Sequence, residues 1–290
     1  MKIDDLPAAY SFGATDNPPR GDYASARADF TCEQDWAAYT PEMHERYRRL
    51  YADRIAKLPG LACDEFMDGL THMDSAEAIP RFEQVNVSLR RATGWEIAAV
   101  PGIIPETAFF SLLAQRRFPV TTWLREEHEF NYIVEPDVFH DFFGHVPLLY
   151  NPVFADYMQA YGEGGLKAQA LGGLEYLARL YWYTVEFGLI NTPSGLRIYG
   201  AGILSSGSEP QHSLFSPKPN RVGFDLLRVM ASKYRIDDFQ DTYYVIDSYK
   251  QLFDATAPDF TPYYTQLRGM PTYAANQVLA SDRLFKAATK

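Results

Sequence analysis

Glu186 is the only charged residue in the run 181–190, where four of the ten residues are aromatic. A carboxylate in such surroundings is expected to be buried, and burying it without a partner is costly, so it needs a cation. His140 and His145 lie upstream and could bind the same cation. Two histidines and one carboxylate can hold one Fe(II) ion and leave coordination positions open for oxygen. These three residues therefore predict an iron-dependent oxygenase.

The spacing of the two histidines needs a local explanation. Residues five apart on a regular α-helix are separated by roughly 140–150°, so His140 and His145 would not share a face. Gly144 can loosen the turn, and Pro147 disfavours helical geometry at Val146. We therefore predict that His140 projects from the last full turn of a helix and His145 from its fraying end. Alone, the pair is weak evidence for a metal, because histidines near a helix C-terminus also interact well with the dipole.

Two further polar residues could serve such a centre. Arg125 precedes an acidic loop and could form a surface salt bridge there, or it could bind a substrate carboxylate through two N–H groups. Either Arg125 or Arg179 could also form an ion pair with Glu186. Ser205 lies in the Gly-rich run 199–206 and could belong to a tight turn or bond the second nitrogen of a metal-bound histidine. Four aromatic residues could belong either to the hydrophobic core or to a binding pocket, and the sequence alone does not decide between the two. They are Phe109, Phe118, Trp182 and Phe187.

The composition favours a cytoplasmic protein without nucleic-acid or membrane partners. Lys and Arg total 27 against 37 Asp and Glu, a net charge of -10 that argues against nucleic-acid and anionic-membrane partners. The two cysteines, Cys32 and Cys63, form no CxxC motif, as expected of a reduced cytoplasmic protein. No run approaches the roughly 18 apolar residues of a membrane span, and the acidic N-terminus does not resemble a secretory signal.

The helix and strand signals predict a mainly α-helical fold with a few short β-strands. We expect an extended N-terminal arm over residues 1–30 and one domain over residues 31–290. Thr40 as N-cap and Pro41 as first residue predict a helix that runs to Leu58. The other predicted helices cover about 63–73, 80 onward, 105–116, 137 onward, 152–168, 174–189, 223–233, 247–253 and 276–288. Extended segments are predicted at 95–100, 120–124 and 198–204.

Three blocks of the sequence resemble the tetrahydropterin-dependent aromatic amino acid hydroxylases, most closely their bacterial, phenylalanine-hydroxylating members. The blocks occur in the family's order, and the resemblance covers residues from about 100 to about 255. It implies a single catalytic domain of the family's mainly helical type. The matching residues are Glu135-Pro136-Asp137, His140-Asp141, Gly144-His145-Val146-Pro147, Tyr181-Trp182, Thr184-Val185-Glu186-Phe187-Gly188-Leu189, Tyr199-Gly200-Ala201-Gly202 and Leu204-Ser205-Ser206.

The resemblance implies a reaction and its metal ligands. His140, His145 and Glu186 would bind Fe(II), and the enzyme would convert L-phenylalanine to L-tyrosine with O2. The two electrons would come from a tetrahydropterin, either tetrahydrobiopterin or a related pterin. The protein would position the substrate ring, while metal and cofactor supply the chemistry.

The resemblance also implies how the substrate and the pterin are held. Arg125 would bind the substrate carboxylate, with Ser205 nearby supporting His140. The residues expected around the substrate ring are Pro136, Trp182 and Phe187, with Phe118 close by. The residues expected around the pterin are Phe109, which would stack on it, the backbone of Gly102, Ile103 and Ile104, and Asp141 and Tyr181 beside it.

Other functions stay open at this point. Tyrosine or tryptophan could be the preferred substrate, but Val245 stands where tyrosine-hydroxylating relatives would be expected to carry an acid, and Trp182 favours phenylalanine over tryptophan. A zinc hydrolase could use the same ligand types with Asp141 as general base, although the HExxH spacing is absent. A protein that binds pterin or amino acid without turnover is a further alternative. We expect a monomer, without the regulatory domain and the C-terminal heptad helix of larger family members.

Overall fold

Helices form most of the regular structure, as the sequence predicts. The computed structural model describes residues 19–131, 133–236, 238–257 and 259–289. Among these residues, no helix is both long enough and apolar enough to cross a bilayer. The helices are α1 (Pro41–Ile55), α2 (Asp64–Thr71), α3 (Phe82–Thr93), α4 (Glu106–Ala114), α5 (Pro152–Leu171), α6 (Leu174–Tyr181), α7 (Ala201–Leu204), α8 (Glu209–Phe215), α9 (Leu226–Met230), α10 (Tyr249–Thr256) and α11 (Thr261–Arg268).

The strands are short and form two separate sheets. They are β1 (Glu96–Val100), β2 (Arg117–Thr121), β3 (Leu189–Thr192), β4 (Gly195–Ile198), β5 (Asn220–Gly223) and β6 (Thr242–Ile246). Strands β1 and β2 pair in parallel, and the second sheet has the order β4-β3-β6-β5. In the second sheet β3 is antiparallel to β4 and parallel to β6, and β5 is parallel to β6.

Helix α1 begins where its capping residues predict. The Thr40 side chain accepts a hydrogen bond from the Met43 N–H, and Pro41 is the first helical residue. Such a cap satisfies one of the N–H groups that have no partner inside the helix. The helix ends at Ile55 rather than at Leu58, so the predicted end is three residues too late.

Two predicted segments are wrong. The segment 198–204 is not extended throughout, because only Ile198 belongs to β4 and residues 201–204 form α7. The segment 276–288 is not a helix. Its backbone pairs with the edge of the second sheet instead, where Gly223 N donates to Arg283 O and Phe285 N donates to Arg221 O. An edge strand offers unpaired backbone groups, and this tail uses them.

Other elements differ less. The second predicted extended segment begins earlier than expected, at residue 117 rather than 120, and the sequence gives no prediction for β5, β6, α8 and α11. The buried apolar cluster draws on residues from Cys32 to Leu267 and surrounds the elements that carry the candidate site.

The first 18 residues of the predicted arm lie outside the described residues. From Arg20 onward the arm lies against the site, where the buried Tyr23 donates a hydrogen bond to Ile103 O.

Candidate active site

The candidate metal ligands lie on two π-helical segments, His140–His145 and Trp182–Glu186. A π-helical turn is wider than an α-helical turn because each N–H bonds the carbonyl five residues back, and such turns are rare and frequently lie at functional sites. The wider turn brings His140 and His145 to one side. The predicted fraying end is therefore wrong: Val146 has helical angles (φ -62°, ψ -37°), and a 3-10 helix continues to Tyr150.

Glycines allow the third sequence block to lie against both π-helical segments. A Cβ on Gly144 would lie 3.0 Å from the carbonyl oxygen of Ala201. A Cβ on Gly200 would lie 2.4 Å from the carbonyl oxygen of Glu186, closer than real Cβ contacts allow. Side chains at these two positions would therefore push the block 199–206 away from the ligand-bearing segments.

His140, His145 and Glu186 form one cluster of possible metal ligands. Nε2 of His140 lies 3.3 Å from Nε2 of His145, and these atoms lie 3.5 and 3.2 Å from the two carboxylate oxygens of Glu186. Among the residues that the structure describes, these three are the group of histidine, cysteine and acidic side chains that lie close enough together to hold a metal ion. Two imidazole nitrogens and one carboxylate oxygen converging on one point form the donor set of non-heme Fe(II) oxygenases. The residues present therefore fit a mononuclear iron ion.

The surroundings keep His140 and Glu186 in the protonation states that a metal needs. Burial lowers the pKa of His140 to about 4, so its imidazole is neutral. Burial raises the pKa of Glu186, but His145 and the backbone hydrogen bond from Gly202 outweigh it and hold that pKa below its usual value. Nδ1 of His140 lies 2.8 Å from Oγ of Ser205. Because Nδ1 is engaged there, Nε2 faces the cluster, as expected for a metal ligand with a supporting partner.

Arg125 does not form the surface salt bridge that was one alternative. Its side chain is 2% exposed and pairs with the fully buried carboxylate of Asp137. Nε and Nη2 donate to the two carboxylate oxygens over 2.9 and 2.8 Å. Arg179 pairs with Glu175, so neither arginine neutralises Glu186.

All of the predicted site residues line one cavity of about 610 Å³. Glu186 and both histidines lie in its wall, and aromatic and aliphatic side chains form much of the rest. The predicted residues that line it are Gly102, Ile104, Phe109, Phe118, Arg125, Pro136, His140, Asp141, His145, Tyr181, Trp182, Glu186, Phe187 and Ser205.

Comparisons with known proteins decide the family. Residues 28–263 match the biopterin-dependent aromatic amino acid hydroxylases. The chain belongs to this family. It is 60% identical to the phenylalanine-4-hydroxylase of Chromobacterium violaceum, over 89% of this chain and 88% of that protein. It is 58% identical to the phenylalanine-4-hydroxylase of Ralstonia nicotianae, over 93% of this chain and 86% of that protein.

The fold agrees with the family. A crystal structure of the Chromobacterium violaceum phenylalanine hydroxylase with iron and phenylalanine bound superimposes with a TM-score of 0.86 at 59% identity, over 90% of this chain and 96% of that one. The predicted mainly helical fold and the predicted family are therefore confirmed. Iron and a biopterin are the cofactors of this hydroxylase family, as the sequence also predicts.

In this hydroxylase, one side of the cavity carries the residues predicted around the pterin. The ring of Phe109 lies edge-on to that of Tyr181, with centroids 5.6 Å apart. The carboxylate of Asp141 accepts a hydrogen bond from Thr121 N over 2.8 Å. Burial raises the pKa of Asp141 to about 7. This side therefore offers flat rings and a carboxyl group held in place by the backbone.

The other side carries the residues predicted around the substrate ring. The rings of Trp182 and Phe187 lie 4.8 Å apart, and Trp182 also stacks on Tyr234 at 4.5 Å. The indole N–H of Trp182 donates to Oε1 of Gln240 over 2.9 Å, which fixes the plane of the ring. Val245 is fully buried in β6 opposite Leu189 and does not itself line the cavity.

Gln240 and Glu209 are among the polar residues of the cavity that sequence reasoning missed. Glu209 is 7% exposed and accepts hydrogen bonds from the Tyr243 hydroxyl and the Gln240 N–H. Both residues lie in segments without a periodic pattern. Glu209, like Glu186, is an acid without a nearby base in the sequence, and this signal could have identified it. The Ser and Pro residues around Glu209 suggest a solvated loop instead.

Proposed function

We propose that this chain hydroxylates L-phenylalanine to L-tyrosine, using O2, a tetrahydropterin and Fe(II) held by His140, His145 and Glu186. The observation that carries the proposal is that these three ligands converge in the wall of a cavity lined by aromatic rings. The names of relatives with about 60% identity agree with it. When bound, the tetrahydropterin would supply the two electrons and the iron would mediate their transfer to O2, so that one oxygen atom enters the substrate ring and the other is reduced to the level of water.

The chain's own part at the metal is to hold three ligands in their reactive forms. His140 is neutral because burial lowers its pKa. With its proton on Nδ1, which lies 2.8 Å from Ser205 Oγ, the Nε2 lone pair is left for the metal. Glu186 contributes the single negative charge. A ligand set with one charge leaves Fe(II) with a net charge of about +1 and with open positions.

On the substrate side, the residues position a planar apolar ring and a carboxylate. Trp182, Phe187 and Pro136 form flat apolar walls that suit a phenyl ring. Arg125 supplies the positive charge for the carboxylate. Asp137 fixes this guanidinium through two hydrogen bonds, so its orientation is set before the substrate arrives.

On the pterin side, the proposal assigns stacking to Phe109 and backbone hydrogen bonds to the segment Gly102–Ile104. Both line the cavity, as do Asp141 and Tyr181 beside them. A fused bicyclic ring can lie between the aromatic face and the backbone edge.

We also propose that the enzyme acts as a monomer in the cytoplasm, with residues 31–290 as one catalytic domain. One buried cluster connects elements from Cys32 to Leu267, which supports a single folding unit. Cys32 and Cys63 are free and buried, as expected of a reducing compartment. Light scattering coupled to size-exclusion chromatography tests the monomer, and a dimer or tetramer mass would contradict it.

The function is tested by aerobic turnover of Fe(II)-loaded protein with a synthetic tetrahydropterin and L-phenylalanine, with tyrosine measured by HPLC. Tyrosine formation is expected to need both iron and pterin and to disappear in Glu186→Ala. Glu163→Ala, at an exposed site on α5, is the matched control and should retain activity. A zinc-loaded sample should be inactive. Iron-replete protein that hydroxylates tyrosine or tryptophan in preference would overturn the substrate, and no hydroxylation at all would overturn the reaction.

A further inference from the structure

Arg54, near the end of α1, is a charged residue in the protein interior. Its side chain is 1% exposed. Nη1 pairs with the carboxylate of the neighbouring Asp53, which is itself one-third exposed. A guanidinium is costly to bury unless all of its hydrogen bonds are made, so its other partners should explain why it is there.

Those partners are two backbone carbonyls that are distant in sequence. Nε donates to the carbonyl of Ser205 over 2.9 Å, and Nη2 donates to the carbonyl of Phe130 over 2.8 Å. The guanidinium also lies 5.5 Å from the centre of the Phe130 ring. A planar fork of donors can bind two acceptors at fixed angles, which a lysine ammonium cannot do.

Both carbonyls belong to segments that form the candidate site. Ser205 lines the cavity, and its hydroxyl bonds Nδ1 of His140. Phe130 directly precedes Asn131, which lines the same cavity and lies in the segment between Arg125 and Pro136, two residues assigned to the substrate. Arg54 therefore joins the support of a metal ligand to a loop on the substrate side, without contacting either the metal ligands or the cavity.

The end of α1 fixes the turn after Ser205 at further points. Nζ of Lys57 lies 3.3 Å from the carbonyl of Gly207 and 2.8 Å from the carboxylate of Asp53. A Cβ on Gly207 would lie 3.3 Å from Nη1 of Arg54, so the turn packs directly on the guanidinium. The backbone of residues 205–207 is thus held from outside the cavity by one helical turn.

We propose that Arg54 is a positioning residue for the metal centre and the substrate side of the cavity. By fixing the Ser205 carbonyl, it sets where the Ser205 hydroxyl meets His140, and by fixing the Phe130 carbonyl it sets the loop that leads to Asn131. The hydrogen bonds of Arg54 to described residues go to Asp53, Phe130 and Ser205, and none goes to the segment Gly102–Ile104 assigned to the pterin. The inference rests on the proposed function.

The test compares Arg54→Met, which keeps the length but removes all donors, with Arg54→Lys, which keeps the charge but has one nitrogen for two carbonyls. Arg48→Met is the matched control, because Arg48 lies on the same helix, is half-exposed and pairs only with Glu45. The measurements are Co(II) affinity and the Co(II) absorption spectrum, followed by KM for phenylalanine and for tetrahydropterin in the iron-loaded enzyme.

Arg54→Met is expected to bind Co(II) about tenfold more weakly, with an altered spectrum, as when an outer partner of a metal-bound histidine is lost. Its KM for phenylalanine should rise while its KM for the pterin stays the same. Arg54→Lys should show a smaller loss of the same kind, and Arg48→Met none. A merely structural role would move both KM values together or neither.

Wild-type metal affinity, spectrum and KM values in Arg54→Met would overturn the inference. If Arg54→Met does not fold, Arg54→Lys decides, and wild-type values in that variant would overturn it equally. The wild-type protein separates this failure from failure of the proposed function. If wild type neither binds Co(II) nor forms tyrosine, the proposed function fails; if wild type does both and the Arg54 variants match it, only the inference fails.

Discussion

The guanidinium of Arg125 and the carboxylate of Asp137 form a two-point ion pair with both side chains buried. Asp137 also accepts the backbone N–H of Arg125 over 2.9 Å and that of His140 over 3.0 Å. Burial raises the pKa of Asp137, but Arg125 outweighs it, and the pKa lies below its usual value. One carboxylate thus connects the proposed substrate-binding residue to the first residue of a ligand-bearing π-helical segment.

Asp137→Asn is expected to lower the free energy of unfolding by about 3–5 kcal/mol, because it leaves the buried charge of Arg125 without a partner. KM for phenylalanine should rise as well, since the guanidinium loses the group that orients it. Urea unfolding and steady-state kinetics measure the two effects. Asp254→Asn, which breaks the exposed pair with Lys250, is the control and should leave both quantities unchanged. Equal effects in the two variants would contradict the prediction.

Ser205→Ala is expected to weaken metal binding about 10- to 100-fold, because Nδ1 of His140 loses the partner that fixes its orientation. The measurement is competition between the protein and a chelator for Fe(II) or Co(II). Ser206→Ala is the control, since that hydroxyl accepts the N–H of Glu209 instead. Unchanged affinity in Ser205→Ala would show that the hydrogen bond does not support the metal ligand.

The sequence predicts the identity of the site residues better than the geometry that brings them together. Glu186 stands out because residue type alone indicates a buried acid, and Thr40 and Pro41 mark a helix start through local hydrogen bonding. Neither signal depends on distant parts of the chain. The π-helical turn at His140–His145 differs, because its packing against Ala201 decides it, and a five-residue spacing alone does not distinguish it from a fraying helix end.

Features that depend on distant partners are the ones that sequence reasoning misses. Arg54 lies 151 residues from Ser205 and 76 from Phe130, so nothing near it in the sequence marks it as part of the site. The tail at 276–288 has helix-forming residues, but the edge of β5 supplies backbone partners that local propensity does not register. Tertiary context overrides propensity in both cases.

Tyr23→Phe is expected to raise KM for tetrahydropterin by about fivefold, the equivalent of one hydrogen bond of about 1 kcal/mol. The Tyr23 hydroxyl donates to Ile103 O over 2.8 Å and lies against Gly102, so it holds the backbone assigned to the pterin. KM for phenylalanine should not change. Steady-state kinetics with each substrate varied in turn makes the measurement, and Tyr263→Phe serves as the control. A parallel rise of both KM values would contradict a specific effect on the pterin side.

Glu209→Gln is expected to change how stability depends on pH. Burial raises the pKa of Glu209 to about 7 from an ordinary value of 4.5, although hydrogen bonds from Tyr243 and Gln240 partly oppose it. Between these values the folded protein holds a proton that the unfolded chain has released, so this group makes stability fall as pH rises and has no further effect above about pH 7. The glutamine variant should therefore gain about 3 kcal/mol relative to wild type between pH 4 and pH 8. Urea unfolding across that range measures the difference in the free energy of unfolding between variant and wild type. For the exposed control Glu163→Gln this difference should not change with pH. A pH-independent difference for Glu209→Gln as well would contradict the prediction.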